Sequence, residues 1–106
     1  MPLQRVKDSF ERQGMMRHLG ARLLRVAPGL CELALPYSDK VTQQQDGFHG
    51  GAMGALADIA GGYAGLTVLA PDMEITTAEV VHIDADGKQS LCAVMQQTLV
   101  PVAKTY

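Results

Sequence analysis

The stretch His49-Gly50-Gly51-Ala52-Met53-Gly54-Ala55-Leu56-Ala57-Asp58-Ile59-Ala60-Gly61-Gly62-Tyr63-Ala64-Gly65-Leu66-Thr67-Val68-Leu69 decides the fold. From Gly51 to Leu69, Met53, Leu56, Ala60, Tyr63 and Thr67 fall on one helical face, and Ala70-Pro71-Asp72 ends the pattern. Ten of these nineteen residues are Gly or Ala, and each helical Gly costs roughly 1 kcal/mol against Ala. A helix so composed needs tertiary partners that exploit its smallness. Gly54, Gly61, Gly62 and Gly65 stand at i−4, i+3, i+4 and i+7 from Asp58, so they share its face. Small residues let a sheet approach closely, but they do not explain a carboxylate on the same strip. Asp58 is therefore a site candidate, its ordinary alternative being a solvated acid.

Just upstream, His49-Gly50-Gly51 sits where a loop becomes the helix. The first N–H groups of a helix are unpaired and lie at its positive dipole end. Glycines there let a carbonyl approach the backbone, so Gly50 or Gly51 could polarise it with His49 alongside. The ordinary alternative for His49 is a capping or core histidine. Eight residues separate Gly50 from Asp58, which at 1.5 Å rise per residue is roughly 12 Å. One chain cannot bring both groups to one carbonyl. If both act on one bond, Asp58 comes from a second copy packed antiparallel along the glycine strip, which predicts an obligate dimer with an intersubunit site.

Working outward, Leu3, Val6 and Phe10 set a short amphipathic helix over 3–18, weakened at Gly14. Residues 21–26 and 30–35 form a hairpin about Pro28-Gly29, and 36–47 is a polar loop containing Gln43-Gln44-Gln45. Beyond the long helix, 75–83 and 89–102 form a second hairpin about Asp84-Ala85-Asp86-Gly87, with Gly placed for a positive φ. Residues 1–106 thus make one α+β domain with an antiparallel sheet.

A chain of 106 residues buries only roughly two thirds of its unfolded surface, so association would help it. Apolar residues are 47% and charged residues 19% of the chain, which excludes disorder. A net charge of −2 with a pI near 5.8 leaves no basic field for nucleic acid. Residues 48–71 are low in charge but carry Asp58, whose placement in a bilayer centre costs roughly 3 kcal/mol; no membrane association is expected. Cys31 and Cys92 lie in apolar runs and no leader is visible, which fits a cytoplasmic setting. No metal is expected, because the three histidines lack ligand spacing, and GxSxG is absent.

The segments Thr42-Gln43-Gln44, Gly47-Phe48-His49-Gly50-Gly51, Leu56-Ala57-Asp58 and Gly61-Gly62-Tyr63-Ala64 resemble the hotdog-fold acyl-CoA thioesterases of the phenylacetate-degradation (PaaI-like) type. The likeness extends to the preceding hairpin, to Thr76-Thr77, and to Ala93-Val94-Met95-Gln96-Gln97-Thr98-Leu99. It implies an antiparallel β-sheet wrapped around a long central helix, a dimer often paired into a tetramer, and an acyl-CoA substrate with no separate cofactor. It implies Asp58 as nucleophile or general base, Gly51 or Gly50 as carbonyl polariser and His49 as assistant. Gln43 stands where many relatives have Asn, keeping the amide at a different reach, and Phe48, Gly54, Gly62 and Thr77 are expected against the substrate. The chain also runs from Thr77 straight into Ala78 where the family has roughly thirty further residues, about two strands. The expected activity is hydrolysis of a small acyl or aryl-acyl CoA thioester, with a dehydratase or isomerase as a variant on the fold. From another class, the alternative is a non-catalytic acyl-CoA binder or a degenerate dimerisation domain.

Overall fold

The computed structural model describes residues 3–68 and 74–100. Helix α1 (Leu3–Glu11) and helix α2 (Gly14–Leu19) open the chain. They occupy the span expected to be one helix. Gln13 is extended at φ −79° and ψ 103°, so Gly14 begins a new helix instead of weakening an old one. The break lets Val6 and Phe10 from α1 and Met16 from α2 point into one core; Gly20, at φ 80°, then turns the chain into the first strand.

Strands β1 (Arg22–Ala27) and β2 (Leu30–Ala34) pair antiparallel, with a bulge between Leu23 and Arg25. Their turn places Gly29 at φ 74°. Its N–H donates to Thr67 Oγ1 (2.8 Å), and that hydroxyl donates to the Ala64 carbonyl (2.7 Å). One threonine therefore ties the hairpin turn to the end of the long helix, α3 (Gly50–Leu66). Helix α3 stops within the expected span, and the rest of that span, from residue 69, lies outside the described residues.

Tyr63 on α3 joins Val6, Phe10 and Met16 in the core, with Leu23, Val26, Leu33, Ala55 and Ile59 packed around them. Its hydroxyl accepts from Gln13 Nε2 (2.7 Å) and shares a hydrogen bond with Ser9 Oγ (2.9 Å). The N-terminal helices are thus docked on α3 by apolar burial and oriented by a phenol.

Strands β3 (Glu74–Ile83) and β4 (Gln89–Leu99) form the second antiparallel hairpin, on another side of α3. Gly87 sits at φ 81°, and Asp84 Oδ1 accepts from the N–H groups of Asp86 and Lys88, both at 2.9 Å. The turn is the one its residues prescribe. Strand β3 runs unbroken through Thr77 and Ala78, opposite Gln96 and Met95, and its bulge falls later, between Val80 and Val81.

The α+β class, with antiparallel strands packed on a central helix, is as expected. The strands differ in one respect: among the described residues they form two separate two-stranded sheets, not one continuous sheet. The second hairpin is the thinly covered part. Ile75, Ile83, Leu91 and Val94 are each at least 60% exposed.

Candidate active site on the glycine-rich helix

Residues 42–48 form a tight loop closed by a Thr42–Phe48 bridge, with the His49 N–H donating to the Val41 carbonyl (2.7 Å). Gln43 organises it from within: its Oε1 accepts from the N–H groups of Gln45 and Gly47, and its own backbone N–H donates to the Gly47 carbonyl (2.9 Å). Its acceptor is therefore committed locally, and its amide NH2 remains as a donor. Asp46 takes φ 65°, a conformation Asp tolerates better than most residues.

His49 is the N-cap of α3, extended at φ −69° and ψ 130°, with Nδ1 accepting from the Gly51 N–H (2.8 Å). Neutral His49 then carries its proton on Nε2. This cap separates the two candidate oxyanion donors. The Gly51 N–H is engaged, whereas among the described residues the Gly50 N–H has no partner. A Cβ on Gly51 would stand 2.9 Å from His49 Nδ1, so any other residue would push the capping imidazole aside.

Eight residues along the same helix, Asp58 is exposed, and its Oδ1 accepts from Gln97 Nε2 of β4 (2.9 Å). The glycine strip around it divides in two. Gly61 lies beneath the second hairpin: a Cβ there would overlap Gln97 Oε1 and stand 2.9 Å from Thr76 Oγ1. Gly65 is buried. A Cβ on Gly54 or Gly62 would meet nothing within 4 Å among the described residues, so both are open on the Asp58 side. The strip thus seats a hairpin along one border and is free along the other.

Thr76, not Thr77, faces the helix at this point. Successive side chains alternate across a strand, so Thr77 points to the opposite face of the hairpin, where it is exposed. Thr76 and Gln97 fall within the segments that carry the resemblance but were not named as site residues from the sequence. The available signal was a polar residue at an inward position of β4, since Ala93, Met95 and Leu99 share the alternation that places Gln97 inward.

A groove of about 1050 Å³ runs along α3 between the facing edges of β2 and β3. Met53, Leu56, Ala57 and Ala60 form its floor. Phe48 stands at its mouth, edge-on to Tyr37 at 5.5 Å and to His82 at 6.5 Å between ring centroids. Of the expected substrate contacts, Phe48 and Thr77 line this groove, whereas Gly54 and Gly62 lie outside it. Cys31 also borders the groove, where burial, helped by the nearby Glu32 charge, pushes its thiol from 9.0 up to about 11. Among the described residues no three His, Cys, Asp or Glu side chains gather closely enough to hold a metal ion. No described helix is long and apolar enough to cross a membrane.

No family model matches the chain, and no curated protein matches it. Among solved structures, the chain is similar to the crystal structure of a thioesterase family protein from Silicibacter pomeroyi. The two agree with a TM-score of 0.86 at 28% identity, over 92% of this chain and 95% of that one. The likeness is of the thioesterase, hotdog type.

Proposed function

We propose that the chain is a PaaI-like thioesterase that hydrolyses a small acyl or aryl-acyl CoA thioester at a site built between two copies. The observation that carries this reading is the extensive likeness to a thioesterase family protein. The local chemistry supports it. A free N–H at Gly50 and a hydrogen-bonded carboxylate at Asp58 lie on one helix. Their eight-residue separation is roughly 12 Å along the axis, so Asp58 acts on a thioester polarised by the helix N-terminus of a partner copy.

In that arrangement the Gly50 N–H receives the thioester oxygen and stabilises it as negative charge develops. Asp58 either takes a proton from water, whose oxygen adds to the carbonyl carbon, or adds to that carbon itself and is released by water afterwards. Either route breaks the C–S bond, and the departing thiolate is protonated as the acid forms. His49 Nδ1 is occupied by the Gly51 N–H, so only its Nε2 side remains to assist. Gly51 then serves by letting that cap close. Gln43 contributes through its amide NH2, and Phe48 stands at the acyl end. Gly54 and Gly62 leave room beside Asp58 for the partner helix and substrate, and Thr77 contributes from the β3 border of the groove.

The open border at Gly54 and Gly62 supports a dimer packed along the strip. The exposed Ile75 and Val94 support a further contact that pairs dimers into tetramers. Both cysteines are free thiols, which accords with a reducing cytoplasmic location.

One observation favours a second reading, a non-catalytic acyl-CoA binder or degenerate dimerisation domain. Among the described residues the edges of β2 and β3 face each other unpaired across the groove, consistent with a chain about two strands short between Thr77 and Ala78. Thiol release from short, medium, long and aryl acyl-CoAs, run with wild type and Asp58→Ala side by side, separates the two. The thioesterase reading expects release that vanishes in the folded mutant. A folded wild type that releases no thiol from any ester supports the second reading.

A further inference from the structure

We infer that Gln97 is the positioning residue of Asp58 and decides which carboxylate oxygen reacts. The inference rests on the thioesterase reading above and goes beyond it by assigning the two oxygens different tasks. Gln97 Nε2 donates to Oδ1 at 2.9 Å. Among the described residues Oδ2 has no such partner, so Oδ2 is the oxygen presented to water or to the thioester carbon.

Three features make this contact more than an incidental surface bond. Gln97 is held by the register of β4, whose inward positions Ala93, Met95 and Leu99 pack toward α3, so its amide arrives at Asp58 from a fixed direction. Its own Oε1 is buried beside Gly61 and, like the nearby buried Thr76 Oγ1, has no hydrogen-bond partner among the described residues. Buried polar oxygens without partners cost free energy. Thr76 and Gln97 are paired across β3 and β4, so a rotation of the Thr76 side chain that brought its hydroxyl within reach would let it donate to Gln97 Oε1. That donation would lock the amide with its NH2 toward Asp58, since a flipped amide would set two oxygens against each other. Gly61 completes the device, because any Cβ there would occupy the place of Gln97 Oε1. The strip is therefore glycine at 61 for the sake of Gln97, not only for close sheet packing.

The test is thiol release kinetics on the full chain with Gln97→Met, Gln97→Glu, Gly61→Ala and Asp58→Ala. Gln97→Met keeps length and removes the donor. A carboxylate free to swing should lose about 100-fold in kcat, while KM changes by less than about twofold because the substrate contacts are elsewhere. Gln97→Glu keeps the shape and replaces the donor with an oxygen, so its kcat falls at least as far. Gly61→Ala leaves both functional groups intact but displaces Gln97, and its kcat falls with theirs. In combination with Gln97→Met it adds no further loss. A merely structural role predicts lowered melting temperatures with unchanged kcat per folded molecule. Wild-type kcat in folded Gln97→Met, or in folded Gly61→Ala should the former not fold, overturns the inference and leaves the thioesterase standing if Asp58→Ala is dead. No thiol release by the folded wild type brings down the functional reading and this inference together.

Discussion

Replacing Tyr63 by Phe isolates the polar part of the joint between the N-terminal helices and α3. The ring is 7% exposed and packs with Val6, Phe10 and Met16, so Phe retains its apolar burial. What disappears is the hydroxyl, which accepts from Gln13 Nε2 at 2.7 Å and bonds Ser9 Oγ at 2.9 Å. Each such bond contributes about 1 kcal/mol net, and its part-buried partners must then find water. The expected destabilisation is about 2 kcal/mol, which for a domain of this size lowers Tm by roughly 8 °C. Urea melts at fixed protein concentration should show a lower midpoint with an unchanged m-value. A cycle of Tyr63→Phe with Gln13→Ala should give a coupling of about 1 kcal/mol. A Tyr63→Phe protein melting within about 2 °C of wild type would refute the claim that this phenol orients α1 and α2.

The cap at the start of α3 should behave as one unit: His49→Ala and Gly51→Ala each cost about 1 kcal/mol, and the double variant costs little more. Additive losses in thermal melts would separate the two residues. Gly54→Ala and Gly62→Ala have open space in one protomer and would there gain up to about 1 kcal/mol of helix propensity. With a second copy on the strip they should instead shift the protein toward monomer in sedimentation, and a retained dimer with higher Tm would rule out strip packing. Cys31 is half-buried with its thiol raised to about 11, so at pH 8 a maleimide should modify the exposed Cys92 first and Cys31 more slowly. The sign for stability follows: the unfolded thiol ionises near 9.0 while the folded one stays neutral, so Cys31's contribution is complete below 9.0 and is lost as pH rises toward 11. Equal labelling rates for the two thiols would contradict the burial of Cys31.

What the sequence determined by itself is local. Helix α3, its start beside His49, the turn at Pro28-Gly29 and the positive φ of Gly87 follow from spacing and backbone preference, because neighbours a few residues apart set them. Asp58 stood out for a similar reason, being one charge in a strip of Gly and Ala. The break at Gln13 was not visible, since Leu3, Val6 and Phe10 alone do not reveal that Met16 must also reach the core beside Tyr63. Tertiary structure decided the partner of Asp58: Gln97 is thirty-nine residues away, and only the register of β3 with β4 and their seating on Gly61 bring its amide there. The same register set Thr76 against the helix and turned Thr77 away. A strand places alternate residues on opposite faces, so which of two adjacent threonines faces the site is decided by the docking of the hairpin.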